Sequence, residues 1–294
     1  MWKKFDFFTS ELLQSDSPTS SLFAIQAMDI TCVTGGNGQL LFADSEGGVT
    51  ISNQDYSLSR FQAHQGCINN CLFYRSSNIL VTIASNEDIR SEEDISHSQE
   101  ICKKVRASLY ANPTYDWMAK DLGLSPVVPP LDSSAPTEMK LWRMKTMDTE
   151  TPECIRTFSL PEVVTCVCAN EDNEILVLGC KSGVLYYVQG DLSRSRRCNP
   201  IRFSHSFDAP ITGLHMFYSE DQKSLFLYAL TEKTTGCYCI ARTNRKNIRY
   251  EELDPLNGCR RGCSCITDSG ECMVGRDGGL FRFRGMEGVG CYAI

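Results

Sequence analysis

Met139-Lys140-Leu141-Trp142-Arg143 sets apolar Met139 and Leu141 on either side of Lys140 and follows them with one tryptophan, the pattern of a strand with a face in a core. Read outward, it is the third strand of a unit. That unit opens with Cys67-Ile68-Asn69-Asn70-Cys71-Leu72-Phe73 and continues with Ile79-Leu80-Val81-Thr82-Ile83-Ala84-Ser85. The same succession recurs on both sides. Upstream stand Ile30-Thr31-Cys32-Val33, Leu40-Leu41-Phe42-Ala43-Asp44, the turn Glu46-Gly47-Gly48 and Val49-Thr50-Ile51. Downstream, Val163 to Cys168, Ile175 to Gly179 and Val184 to Val188 form a third unit, with a turn at Lys181-Ser182-Gly183. Ile211 to Met216, Leu225 to Ala229 and Cys237 to Ile240 form a fourth. Cys263 to Ile266, Cys272 to Gly275, the turn Arg276-Asp277-Gly278-Gly279 and Leu280 to Phe283 form a fifth.

Where no insertion intervenes, successive opening strands lie roughly 45 to 50 residues apart, the period of a four-stranded propeller blade. The apolar-Lys-apolar-Trp strand resembles the third strand of WD-type blades, where the tryptophan packs between neighbours. The expected fold is all-β: a WD-like β-propeller of about five blades over residues 22–294, preceded by an entry strand and linker at 1–21. The glycines at the turns supply the positive φ that tight hairpins need, so they read as hairpin tips. None opens a helix in a βαβ setting, which leaves no nucleotide-binding loop. His64, after Ala63, sits in the loop before a first strand, where such blades use a histidine structurally.

Residues 86–137 interrupt the second blade. The stretch begins acidic (Glu87, Asp88, Glu92, Glu93, Asp94) and then places Ile101, Val105 and Leu109 at four-residue spacing, a short amphipathic helical face. Pro113 ends that face, Thr114 to Met118 can begin another turn, and Ser125-Pro126-Val127-Val128-Pro129-Pro130 favours extended geometry. The expectation is a partly helical or disordered insertion, a mobile segment being favoured over a partner-binding helix.

Composition narrows the function. The net charge of −7 argues against a nucleic-acid partner, since phosphate binding needs clustered Lys and Arg. The basic stretches Arg194-Ser195-Arg196-Arg197 and Arg260-Arg261 are short and read as solvated loops. No apolar run approaches the roughly 18 to 20 residues that cross a bilayer. No signal peptide is evident at Met1 to Phe8, so a cytoplasmic location is expected.

Sixteen cysteines call for a reading of their own. Cys67/Cys71, Cys166/Cys168, Cys237/Cys239 and Cys259/Cys263/Cys265 are closely spaced, but none forms the paired hooks of a zinc site. An i, i+2 pair on a strand puts both thiols on one face, where small side chains fit a sheet core. Reduced core cysteines are therefore expected, with a cysteine-based redox or metal-binding protein as the alternative. The four histidines, His64, His97, His205 and His215, stand in no hydrolase motif, so no catalytic, cofactor-binding or metal residue is assigned.

Several strings, in order, resemble the vacuolar protein sorting-associated protein 11 family. They are Lys4-Phe5-Asp6-Phe7-Phe8, Arg60-Phe61-Gln62-Ala63, Gly190-Asp191-Leu192-Ser193-Arg194 and Pro210-Ile211-Thr212-Gly213-Leu214. Leu253-Asp254, Gly258-Cys259, Cys263, Val274-Gly275-Arg276-Asp277 and Gly290-Cys291-Tyr292-Ala293 complete the set. The resemblance implies a core subunit of the HOPS and CORVET tethering complexes, acting with Rab GTPases and SNAREs in endosome and lysosome or vacuole docking and protein transport. It implies a non-catalytic interaction scaffold, peripheral on the cytosolic face of late endosomal and lysosomal or vacuolar membranes. In that family a propeller of about seven blades precedes an α-solenoid and a RING-type zinc domain. This sequence stops at Ile294 within the propeller, so neither zinc binding nor ubiquitin-ligase activity is carried over. A propeller short of blades leaves blade faces and a strand edge uncovered, and poor solubility is expected.

Overall fold

In the computed structural model, residues 24–55, 57–112, 116–144, 152–172, 174–192, 199–241, 248–255, 257–276 and 279–293 are described. The entry segment 1–21, the basic run at 194–197 and the turn residues 277–278 lie outside them.

Short apolar runs between tight turns give five four-stranded antiparallel sheets, each an up-and-down meander. Blade 1 holds β1 (Ile30–Gly36), β2 (Gln39–Asp44), β3 (Gly48–Ser52) and β4 (Leu58–Gln62). Blade 2 holds β5 (Cys67–Tyr74), β6 (Ile79–Ser85), β7 (Glu138–Arg143) and β8 (Glu153–Ser159). Blade 3 comprises β9 (Val164–Asn170), β10 (Ile175–Cys180), β11 (Val184–Gln189) and β12 (Ile201–Ser206). Blade 4 comprises β13 (Ile211–Ser219), β14 (Ser224–Thr231), β15 (Thr235–Ala241) and β16 (Ile248–Asp254). Blade 5 is built from β17 (Ser264–Ile266), β18 (Glu271–Arg276), β19 (Gly279–Arg284) and β20 (Glu287–Ala293). First strands of successive blades touch one another, which places β1, β5, β9, β13 and β17 on the inside. The all-β, five-blade reading of the sequence is what the structure contains.

The core is not one mass but four seams between blades. Leu80 faces blade 1 with Leu41, Val49 and Trp142, whereas its neighbours Val81 and Ile83 face blade 3 with Leu176 and Leu178. On β14, Leu225 and Leu227 pack toward blade 3, while Phe226, Tyr228 and Leu230 pack toward Val274 and Phe283 of blade 5. A strand buried on both faces cannot alternate apolar with polar residues. This explains the runs Ile79–Ala84 and Leu225–Leu230, every residue of which is buried and all of which are apolar but for the hydroxyl-bearing Thr82 and the phenol of Tyr228.

A repeated hydrogen bond fastens the seams. The pairing of β1, β5, β9 and β13 with their neighbours is irregular near the start of each ladder, at Ile30/Cys32, Ile68/Asn70, Gly179/Cys180 and Ile211/Gly213. An extra residue in one strand re-aims a side chain out of the ladder. At three of these places the extra residue (Thr31, Thr165, Thr212) reaches the next blade, whereas in β5 the extra residue is Asn69 and its paired neighbour Asn70 makes the reach. Thr31 donates to the Ile68 carbonyl, Asn70 to that of Val164 at 3.2 Å, Thr165 to that of Ile211 at 2.6 Å and Thr212 to that of Cys259 at 2.8 Å.

The insertion between β6 and β7 is folded. It contains α1 (Glu92–Ala111) and α2 (Asp116–Asp121). Ser91 caps α1, its hydroxyl accepting from the Asp94 amide at 3.1 Å, and Glu92, Glu93 and Asp94 oppose the helix dipole in the first turn. The partly helical insertion expected from the sequence is present, with α1 packed against blade 1, and one expectation needs correction. The buried face is Cys102, Arg106 and Leu109, with Val105 partly buried, while Ile101 is 43% exposed. The buried stripe includes Arg106 because the Glu46 carboxylate waits at that seat and is met by its guanidinium, while Asp29 is met by Arg90, just before the helix, and by Ser98.

Candidate docking surface

The tryptophan strand that decides the fold also builds the best-defined polar group of the molecule. Thr82, on β6, is completely buried, and its hydroxyl accepts from Trp142 Nε1 at 2.9 Å. It lies 2.7 Å from His64 Nε2, and His64 Nδ1 lies 3.1 Å from a Glu138 carboxylate oxygen. With Nδ1 protonated and donating to Glu138, Nε2 accepts the threonine proton, so each buried polar atom has a partner. Burial, reinforced by the nearby Lys140 ammonium, lowers the His64 pKa to about 4. The ring is therefore neutral near pH 7. Lys140 bonds Glu138 at 2.8 Å and the Ala63 carbonyl at 3.0 Å, tying strand to loop. Phe61 of blade 1 meets the Trp142 ring edge-on at 4.9 Å, so the tryptophan does sit between neighbouring blades.

Two of the other histidines serve the same end. His215 Nε2 is 2.8 Å from the Ser264 hydroxyl and joins blades 4 and 5. His205 stacks on Tyr250 at 3.9 Å, with Nδ1 3.1 Å from the Tyr238 hydroxyl. His97 lies on α1, away from the others. Sequence reading anticipated the structural place of His64 but not the Thr82 partner. The signal was available: a lone threonine inside the apolar run Ile79–Ala84 needs a buried hydrogen-bonding companion.

Burial raises the thiol pKa values of Cys166, Cys180 and Cys272 to about 12 and of Cys102 to about 11, so these groups are protonated. Reactive thiols have the opposite shift. Cys259 is buried while Cys263 and Cys265 are exposed, so the cluster is divided between the blade seam and solvent. Among the described residues no three His, Cys, Asp or Glu side chains converge as a metal set.

What remains for contact is the two rims. One carries the β5–β6 and β9–β10 hairpins, where Glu171 accepts from the Arg75 and Ser76 amides at 2.9 and 3.1 Å. These hairpins border a hollow of about 150 Å³ lined by Tyr74, Glu174, Leu176 and Asp191. The opposite rim carries the loops between blades, with open depressions of about 370 Å³ beside His64 and Lys140 and about 350 Å³ beside Asp208 and Lys233. Asp254 and Arg276, both within strings that carry the family resemblance, meet at 2.6 Å across blades 4 and 5. Arg276 also lies 4.5 Å over the Phe281 ring, so this pair belongs to the seam rather than to a ligand site.

Blade order, seam packing and the Trp-Thr-His group together define a WD-like β-propeller segment. A solved structure described as the Dos1 propeller is similar in fold, with a TM-score of 0.54 over 91% of this chain and 59% of that one at 11% identity. The PEP5/VPS11 N-terminal family pattern matches residues 2–93 and 131–294, and the chain belongs to that family. The vacuolar protein sorting-associated protein 11 homolog of Dictyostelium discoideum is 23% identical over 301 residues, covering all of this chain and 26% of that protein. The Homo sapiens homolog is 22% identical over 315 residues, covering all of this chain and 28% of that protein. The Arabidopsis thaliana homolog is 26% identical over 272 residues, covering 90% of this chain and 25% of that protein. The chain thus spans about a quarter of the length of these relatives.

Proposed function

We propose that this propeller is a non-catalytic protein-docking scaffold, the N-terminal part of a vacuolar sorting subunit that acts in vesicle tethering. The observation that carries the reading is the family match on both sides of the insertion, laid over a fold whose polar side chains are spent on seams. A propeller of this kind offers rigid, loop-lined rims for protein contact. Its partners on this reading are the other subunits of HOPS and CORVET, with Rab GTPases and SNAREs engaged through the assembled complex. Its place is the cytosolic face of late endosomal and lysosomal or vacuolar membranes, held by those partners. No helix among the described residues is long and apolar enough to cross a membrane, which accords with that attachment.

Affinity capture of the tagged chain from its own cells, followed by mass spectrometry, tests the proposal. Recovery of the other class C vacuolar sorting subunits is the expected result. Efficient capture of the folded chain without any of those subunits overturns it. Fractionation on density gradients adds a second check, the chain being expected with late endosomal markers and released by high salt.

A further inference from the structure

The two faces of blade 1 are treated differently. Cross-strand pairing puts Val33, Phe42, Thr50 and Arg60 on one face, with Asp44 and Leu58 in step with them. The opposite face, with Leu41, Val49 and Ile51, is the seam with blade 2. Among the described residues no blade covers the first face. The insertion does. Met28 lies under it and its sulfur is 3.1 Å from the Thr50 hydroxyl, while Arg60 donates to the Leu122 carbonyl at 3.4 Å. Leu109, Ala119, Leu122 and Leu124 of the insertion form one apolar cluster with Ala24, Ala27 and Met28, against which Ile30 and Leu58 of the blade pack.

Charge pins the cluster in place. Arg106 is 1% exposed, and its guanidinium donates to the Ala27 carbonyl at 2.7 Å, to the Ser125 carbonyl at 3.1 Å and to the Glu46 carboxylate in the β2–β3 turn. Arg90 bonds Asp29 at 2.6 and 2.9 Å, and Ser98 donates to the same carboxylate. A guanidinium buried this deeply persists only where its donors are met, so the seat is built for this helix. The family pattern passes over residues 94–130, so the element is an addition to the propeller rather than part of its repeat.

We propose that residues 86–137 are an intramolecular edge cap. They occupy, on the outer face of blade 1, the seat that a neighbouring blade takes at each of the four seams, so that cap and blade exclude one another there. An apolar blade face left uncovered is an association surface, and among the described residues the insertion is what covers this one. The cap reaches only one end of the face. Val33 and Leu40, toward the other end, are each 53% exposed.

Hydrogen exchange by mass spectrometry on the whole chain tests this, together with sedimentation. In one variant residues 94–130 are replaced by a short Gly-Ser linker; in another, Leu109→Ala loosens the packing without orphaning a charge. The cap predicts that the deletion speeds exchange of β3 and β4 amides by about tenfold or more and produces concentration-dependent dimers, with blades 3 and 4 unchanged. It predicts that Leu109→Ala speeds exchange in α1 and in β3 and β4 together. Loss of protection in α1 alone, with β3 and β4 unaltered, overturns the proposal. A deletion variant that stays monomeric with native exchange in blade 1 overturns it as well. Should the deletion not fold, the Leu109→Ala result decides.

Discussion

Replacing Thr82 by valine removes one oxygen and keeps the shape. Trp142 Nε1, 2.9 Å from that oxygen, loses its acceptor, and His64 Nε2, 2.7 Å away, loses its donor. Both groups stay buried, for Thr82 is 0%, His64 2% and Trp142 8% exposed. Each buried polar atom left unpaired costs about 1–3 kcal/mol, so Thr82→Val, which orphans two, is expected to cost about 2–6 kcal/mol. That is a large share of the roughly 5–15 kcal/mol that holds a domain folded. At a urea slope of about 3 kcal/mol/M the midpoint falls by about 1 M, read by far-UV circular dichroism at pH 7.5. Trp142→Phe alone keeps the Thr82–His64 bond, and the double variant completes a cycle with an expected coupling of about 1 kcal/mol. A Thr82→Val midpoint within about 0.5 kcal/mol of the parent refutes the reasoning, as does strict additivity in the cycle.

His64 gives a pH dependence with a definite sign. Its folded pKa of about 4 lies below the unfolded value near 6.5, so the unfolded chain binds the proton first. Its contribution is complete above about pH 6.5 and is lost as pH falls toward about 4, in total about 3 kcal/mol. Urea midpoints measured across that window should show the loss, and His64→Gln should flatten it. Gly47 (φ 82°) and Gly183 (φ 85°) hold matching turns, and an added methyl would meet the His64 and Phe207 carbonyl oxygens at 2.1 Å. Alanine at either is expected to cost more than 2 kcal/mol, whereas Gly262→Ala, at φ 80° with no atom within 4 Å, should cost only the backbone strain of about 1–2 kcal/mol in the same urea titrations. Iodoacetamide should label exposed Cys154, Cys263 and Cys265 in the native protein, and buried Cys67, Cys180, Cys237 and Cys272 only after unfolding; the peptide map checks it.

Five blades were legible because a blade is a local object. Strand, turn and strand lie within about 45 to 50 residues, and the hairpin glycines mark their ends. Runs such as Ile79–Ala84 and Leu225–Leu230 were readable as strands, and the structure shows why they scarcely alternate: the middle strands are covered on both sides. The tryptophan in β7 was readable as a seam residue and the histidine before β5 as a structural one for the same reason: both stand at fixed places in the repeat. The ordered strings of the family resemblance required only the linear sequence.

The seams themselves are not local. That Thr31 reaches Ile68 and Thr165 reaches Ile211 depends on irregular pairing in one sheet aiming a side chain into another, which no window of sequence records. The insertion shows the difference most clearly. Its helical period was visible, but the face it buries was not, because a carboxylate contributed by blade 1 favours Arg106 over Ile101 on that face. Amphipathic spacing reports what a helix can bury against oil. Glu46, brought to that spot by the tertiary fold, made a guanidinium the side chain that had to go inside.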